Sequence, residues 1–202
     1  ICTNGTRVFV ERPVYETFLS KMAERTERLK LGDTLDPATE IGALINPGHM
    51  ETVLDYIRKG KAEGARLVTG GERATDGELA KGNYVKPTIF ADCHDDMTIV
   101  REEIFGPVMS VLPFDSEEEV IARANNSEFG LAAGVITENL SRAHRVAAKL
   151  EAGTCWVNTY NLTPINMPFG GVKMSGIGRE NGWAAVDHFT ERKTVFVAIN
   201  EK

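Results

Sequence analysis

The chain has 202 residues, 42% of them hydrophobic and 26% charged, with a formal net charge of −6. This is ordinary globular composition, and a chain of this length buries roughly 70% of its unfolded surface, enough for a real core. The acidic balance argues against nucleic acid as the main partner, no apolar run approaches the about 20 residues of a membrane span, and no basic leader precedes an apolar stretch.

Arg7 to Glu11 (RVFVE) alternates and is rich in β-formers, which predicts a strand. Pro13 stands where a helix can begin. Tyr15, Phe18, Leu19, Met22 and Leu29 then recur at helical spacing up to about Leu31. Residues 32–37 (GDTLDP) form a turn cluster. Gly48 to Glu63 reads as a second helix, with Met50, Val53, Leu54 and Ile57 on one face. Ala65 to Thr69 is a short strand ending at Gly70-Gly71, and Glu72 to Gly82 a polar loop or hairpin. Tyr84 to Phe90 is extended, with Pro87 placing it at an edge or bend. Val108 to Phe114 is a strand. Ser116 followed by Glu119 signals a helix start, and that helix should carry Val120, Ile121 and Ala124 inward. Leu131 to Thr137 is a strand, Ser141 to Leu150 a helix and Thr154 to Asn158 a strand. The alternation predicts an α/β fold, a mostly parallel sheet with flanking helices. Thr194 to Ile199 (TVFVAI) stands apart from this pattern and suits pairing with another sheet or subunit.

Three cysteines, Cys2, Cys93 and Cys155, are widely spaced and include no C-x-x-C pair. This is a poor disulfide framework and a poor metal site, so a reducing cytoplasm is the simplest compartment. Cys2 lies just before a polar turn-forming run, Thr3 to Thr6. A thiol there is a nucleophile if its pKa is depressed or a base is near; otherwise it is an ordinary buried cysteine. Cys155, inside an apolar strand, reads as core. Cys93 lies in a polar segment beside His94.

Residues 101–108 (REEIFGPV) place two carboxylates before an Ile-Phe pair and a Gly-Pro bend. One carboxylate presented to a cleft can accept bonds from both ribose hydroxyls of a dinucleotide; the plain alternative is a solvated acidic turn. Residues 168–182 (PFGGVKMSGIGRENG) are dense in glycine, which lets backbone approach a ligand or adopt positive φ. The phosphate-loop pattern fails, and Gly176-x-Gly178 follows no strand. A ligand-lining or ion-binding loop of backbone groups fits better.

Four segments, "ICTNGTR", "EEIFGPV", "WVNTYN" and "PFGGVKMSGIGRENG", stand in order along the chain. Together they resemble the C-terminal half of NAD(P)-dependent aldehyde dehydrogenases, and the resemblance covers essentially all 202 residues. Within that family, "CTNGTR" and "NTYNLTP" are most similar to the bacterial betaine aldehyde dehydrogenases. The resemblance implies that Cys2 is the catalytic nucleophile, that Glu103 holds the nicotinamide ribose and that Phe105 lies beside the nicotinamide. It implies that Glu180 lines a water and proton path, and that the backbone carbonyls of Lys173 and Gly176 hold a potassium ion. Asn161, Leu162, Thr163 and Phe169 match the aldehyde pocket. It further implies NAD or NADP as coenzyme and a small aldehyde substrate, such as betaine aldehyde oxidised to the osmoprotectant glycine betaine. The implied limits are a thiol-bearing catalytic domain over 1–158, an active-site and ion-binding loop with a short helix over 159–192, and an arm over 193–202. That arm would build a homo-oligomer, a dimer or tetramer, in the cytoplasm.

In the family, the general-base glutamate, the oxyanion-stabilising asparagine and the nucleotide-binding half all lie N-terminal to the cysteine. The chain opens at Ile1 rather than Met, so the expectation is part of a longer protein, inactive on aldehydes by itself. For a trimethylammonium aldehyde, an aromatic box would hold the cation; Phe169, Tyr160 and Trp156 are its candidates, Trp156 reading equally as core. His49, His94, His144 and His188 read as surface or core histidines. Two other functions remain open. A Cys2–His dyad would make a thiol hydrolase or acyltransferase, and an isolated fragment with an exposed strand would simply self-associate. An acylating dehydrogenase, passing the thioester to coenzyme A, is the nearest chemical neighbour.

Overall fold

Period-2 alternation is what gives the first half of the chain two buried sheet faces. The computed structural model describes residues 1–199, and these fall into two compact units divided between Ser127 and Glu128. The limits expected after residues 158 and 192 do not coincide with that division. In the first unit, β1 (Arg7–Glu11), β2 (Arg66–Thr69), β3 (Thr88–Ala91) and β4 (Val108–Phe114) form one sheet in the order β1-β4-β3-β2. β1 and β3 each pair parallel with β4, whereas β2 pairs antiparallel with β3 and shifts register between Leu67 and Thr69. The sheet is therefore mixed, parallel from the β1 edge through β4 to β3 and antiparallel at the β2 edge.

On one face, Val10, Ile89, Ala91 and Val111 pack with Tyr15 and Leu19 of α1 (Tyr15–Glu27). On the other, Phe90, Val108 and Leu112 pack with Met50, Val53 and Ile57 of α2 (Pro47–Ala62). All four residues of β3 are buried, as a strand covered on both faces requires. Pro87 sits one residue before this central strand, so of the edge or bend expected there, the edge is excluded. A proline in that place withholds no ladder donor. The buried hydroxyls of β3 and β4 are satisfied. Thr88 accepts from the Gly71 N–H and donates to the Lys86 carbonyl, both at 2.8 Å, and Ser110 donates to the Ile99 carbonyl at 3.1 Å.

Helix ends follow local chemistry. α1 stops at Glu27, short of the expected Leu31, and Leu31 instead bridges to Ile41. Asn46 caps α2 by accepting the His49 N–H at 2.8 Å, which places the start at Pro47. The short α3 (Thr98–Arg101) lies between β3 and β4. Ser116 caps α4 (Glu117–Asn125) by accepting the Glu119 N–H, while the Glu119 carboxylate reaches back to the Asp115 N–H. The expectation that Val120, Ile121 and Ala124 point into a core is only half met, since each is half-buried and α4 has no fully buried residue.

The second unit is built on β6 (Ala132–Val135), α5 (Leu140–Lys149) and β7 (Thr154–Val157), a βαβ unit whose strands pair parallel. Asn139 caps α5 by accepting the Arg142 N–H at 2.9 Å. Two short strands, β5 (Phe129–Gly130) and β8 (Val172–Lys173), pair antiparallel. Gly153 is required by close approach, because a Cβ there would meet the Gly170 carbonyl oxygen at 1.6 Å. The short α6 (Ala184–Phe189) carries His188. Residues 194–199, expected as a strand, form none among the described residues. Phe196 is 91% exposed and Ile199 85%. Residues 200–202 of the expected arm lie outside the described residues.

Ile57, 1% exposed, fills the space between α2 and the sheet. Ile57→Ala is expected to cost about 2–5 kcal/mol, read as a lower urea midpoint. Alkaline pH is a second probe. Burial pushes the Cys93 thiol and the Tyr15 hydroxyl each up to about 12, whereas in the unfolded chain they ionise near about 8.5 and about 10. Between those values the unfolded state has shed protons that the folded state retains, so stability falls as pH rises. The loss is expected to begin near about 8.5, to steepen past about 10, and to level off once the folded groups ionise. Urea unfolding across that pH range checks it, and Cys93→Ala should flatten the first part of the slope.

Candidate active site

Cys2 occupies the corner of a tight turn. The Asn4 N–H donates to the Ile1 carbonyl at 3.2 Å, and Thr3 beside the cysteine is only 6% exposed. The turn is tied to the sheet one step further on, where the Thr6 carbonyl accepts the Ser110 N–H at 2.9 Å. Thr3 is thus the buried anchor and Cys2 the exposed side chain, its thiol making no hydrogen bond among the described residues. The other two thiols differ. Cys93, expected in a polar segment, is 2% exposed in the core and held protonated by burial. Cys155 is half-buried rather than fully core, and burial raises its pKa as well. Of the three, only Cys2 has the access that a nucleophile needs.

The loop before β4 separates its two carboxylates. Glu102 accepts the Tyr56 hydroxyl at 2.8 Å. Glu103 is exposed, and its carboxylate has no partner among the described residues. Ile104, 2% exposed, pins the loop into the α2 core, so its neighbours Glu103 and Phe105 face outward. Phe105 takes φ 53° and is 47% exposed. Its carbonyl lies 2.9 Å from His49 Nε2; a carbonyl only accepts, so the His49 proton sits on Nε2. Gly106 follows because a Cβ there would meet Val53 at 2.6 Å. The sequence did not single out His49 as the support of this loop; the Asn46-Pro47 start of α2 was the available signal.

Topology brings these two loops together. β1 and β4 are parallel neighbours, with Arg7 opposite Ser110. The Cys2 turn precedes β1 and the Glu103–Phe105 loop precedes β4, so both lie at the same end of the sheet. No histidine hydrogen-bonds Cys2 among the described residues, so the thiol–imidazole dyad of a hydrolase is not formed there.

In the second unit, Phe169 and Glu180 face each other across an antiparallel bridge, with N–H···O distances of 2.8 and 2.7 Å. The Phe169 ring is half-buried, and Glu180 is exposed. Asn161 takes φ 60°, and Asn161, Leu162 and Thr163 are all exposed. The Leu162 carbonyl accepts the Trp156 indole N–H at 2.8 Å. Trp156 is 7% exposed and packs on Tyr160 with ring centroids 4.8 Å apart. Its core reading is therefore the one that fits. Lys173 and Gly176 share one turn, in which the Gly176 N–H reaches the Lys173 carbonyl at 3.5 Å. The Lys173 ammonium pairs with Glu151 at 2.6 Å. Among the described residues no cluster of three or more His, Cys, Asp or Glu side chains could hold a metal ion, and no helix is long and apolar enough to cross a membrane.

The aldehyde dehydrogenase family model matches residues 1–195. A betaine aldehyde dehydrogenase of Cereibacter sphaeroides is 59% identical over 199 residues, which are 98% of this chain and 40% of that protein. Betaine aldehyde dehydrogenase 1 of Rhizobium meliloti is also 59% identical, over 98% of this chain and 41% of its own length. An aldehyde dehydrogenase of Bacillus cereus, solved as an NAD+ complex, superposes with a TM-score of 0.94 at 55% identity, covering 99% of this chain and 40% of that one. Betaine aldehyde dehydrogenase of Staphylococcus aureus, also solved with NAD+, gives 0.91 at 38% identity over 94% of this chain and 38% of that one. This chain thus spans about two fifths of the length of the curated relatives it matches. By its family match, its identity to these relatives and its α/β fold, it belongs to the aldehyde dehydrogenase family.

Proposed function

We propose that the chain supplies the nucleophile and part of the coenzyme site of an NAD(P)-dependent aldehyde dehydrogenase, with betaine aldehyde as substrate and glycine betaine as product. The observation that carries this reading is an exposed thiol, Cys2, at the same end of the sheet as an exposed carboxylate, Glu103, that has no partner among the described residues. The substrate class rests on the 59% identity to betaine aldehyde dehydrogenases.

Each residue's task follows from its chemistry. The Cys2 thiolate attacks the electrophilic aldehyde carbon, forming a C–S bond and a thiohemiacetal oxyanion. The Cys2 backbone N–H is a donor available to that charge. Glu103 fits a ribose, because a free carboxylate accepts from two neighbouring hydroxyls. Phe105, fixed by Ile104 on one side and by the His49 bond to its carbonyl, offers an apolar face beside it. A bound nicotinamide supplies the hydride acceptor. The remaining thioester on Cys2 is released by water, and Glu180 is placed in this reading along the water and proton path. Asn161, Leu162, Thr163 and Phe169 form the aldehyde pocket.

A potassium ion would be held by the carbonyls of Lys173 and Gly176. The donor type fits, since backbone oxygens suit a hard cation. Lys173 at φ 54° and Gly176 at φ 144° turn the backbone sharply there. The exposed apolar run 194–199 fits an arm that completes a dimer or tetramer by strand addition. A cytoplasmic location agrees with three cysteines unpaired in the fold.

In the polypeptide as its gene encodes it, Cys2→Ala is expected to lower NAD-dependent oxidation of betaine aldehyde by several orders of magnitude. A Cys2 thioester should be trapped by mass spectrometry on rapid acid quench. Glu103→Gln should raise KM for NAD about 10- to 100-fold, the weight of a charged hydrogen bond. Full oxidation rates in the Cys2→Ala protein would overturn the proposal.

A further inference from the structure

We propose that Asn4 is a site of spontaneous deamidation, and that the modification sets a carboxylate into the same turn as the Cys2 thiol. The sequence holds two Asn-Gly pairs, Asn4-Gly5 and Asn181-Gly182. The reaction requires the backbone nitrogen of the following residue to attack the asparagine side-chain carbonyl carbon. A new C–N bond closes a five-membered succinimide, and the side-chain nitrogen leaves as ammonia with the proton from the attacking N–H. Water then opens the ring at either carbonyl, giving aspartate or isoaspartate. Water is the only co-reactant. Glycine at the second position offers no side chain to hinder the attack.

The fold treats the two pairs differently. Asn4 and Gly5 are exposed, and neither the Asn4 side chain nor the Gly5 N–H has a partner among the described residues. At the other pair the nucleophile is occupied, because the Gly182 N–H donates to the Ile165 carbonyl at 2.9 Å. Asn181 and Gly182 are also held at φ 62° and 57°, and a Cβ on Gly182 would lie 3.0 Å from the Asn166 carbonyl oxygen. Attack at Asn181 must first break that hydrogen bond and open the loop. The molecule therefore contains a reactive pair and its own internal control.

The consequence for Cys2 follows from the turn. The 3.2 Å bond from the Asn4 N–H to the Ile1 carbonyl folds residues 1–4 back on themselves, with Thr3 anchored below. A negative charge at position 4 opposes a second one on the sulfur and so disfavours the thiolate. The isoaspartate product adds a backbone methylene within the same turn. This chemistry does not depend on the dehydrogenase reading, and it stands or falls separately from it.

The test ages the folded chain at mildly alkaline pH and maps each Asn-Gly peptide by mass and isoaspartate content. Asn4 should convert first, and Asn181 should lag by about tenfold, the retardation that one retained hydrogen bond gives. In urea the two rates should converge, and Gly5→Ala should slow conversion at position 4. Equal rates at Asn4 and Asn181 in the folded chain would overturn the assignment, as would an Asn4 that converts only in urea. For the thiol, iodoacetamide alkylation of Cys2 at neutral pH should be several-fold slower in the converted fraction and in an Asn4→Asp variant. Unchanged alkylation in both would overturn the effect on Cys2 while leaving the deamidation standing.

Discussion

The parallel pairing of β1 with β4 is the constraint on which the first unit depends. It is a non-local contact between segments about a hundred residues apart, so its closure entropy must be offset by burial. The burial comes from both faces of the sheet, Val10 and Val111 with α1 and Leu112 with α2. Once that pairing is set, the register from Arg7–Ser110 to Glu11–Phe114 decides which loops share an edge. Cys2 and Glu103 are brought to one end of the sheet by strand order. Neither residue contributes to the core that places it there.

Two anchors convert this placement into exposure of chosen side chains. Thr3 is buried where Cys2 is exposed, and Ile104 is buried where Glu103 and Phe105 are exposed. Glu102 is drawn off by Tyr56, which leaves Glu103 as the carboxylate available to a ligand. The cost of this arrangement is Phe105 at φ 53°, a left-handed conformation uncommon for an aromatic residue. His49 donates to the Phe105 carbonyl and so helps hold it. Strain of this kind persists where surrounding contacts over-determine it.

How much of this was legible in the sequence depended on whether the signal was local. β1, β4 and the Ser116 cap follow from alternation and capping chemistry within a few residues, and they stand where the pattern places them. The end of α1 does not, because Leu29 continues the helical spacing past Glu27, the last helical residue, while Leu31 is taken by a bridge to Ile41. Cys93 was misplaced for a related reason. Its polar neighbours His94, Asp95 and Asp96 are exposed turn residues, while its own N–H joins the Val111 carbonyl and turns the thiol into the core. For the candidate site, Cys2, Glu103 and Phe105 came from residue types and motif resemblance. Their common edge required the strand order, which no short window contains. The extended run 194–199 has strand chemistry but finds no ladder among the described residues, since a strand needs a neighbour as well as a propensity.

The glycine-dense segment shows how one composition serves two purposes. Gly170 and Gly171 are accounted for by packing. A Cβ on Gly170 would meet the Gly178 carbonyl oxygen at 2.4 Å, and a Cβ on Gly171 would meet Ser175 at 2.5 Å. Arg179 then fastens the same stretch by donating to the Gly171 and Gly178 carbonyls at 2.7 and 2.9 Å. Gly176 differs, because a Cβ there would meet nothing within 4 Å. What it needs is its φ of 144°, a region open to glycine and strained for other residues. In the first half of the run, glycine answers to neighbouring backbone. At Gly176 the space is open and the requirement lies in the backbone turn itself. That is the part of the run where carbonyls can be aimed at an ion without a side chain in the way.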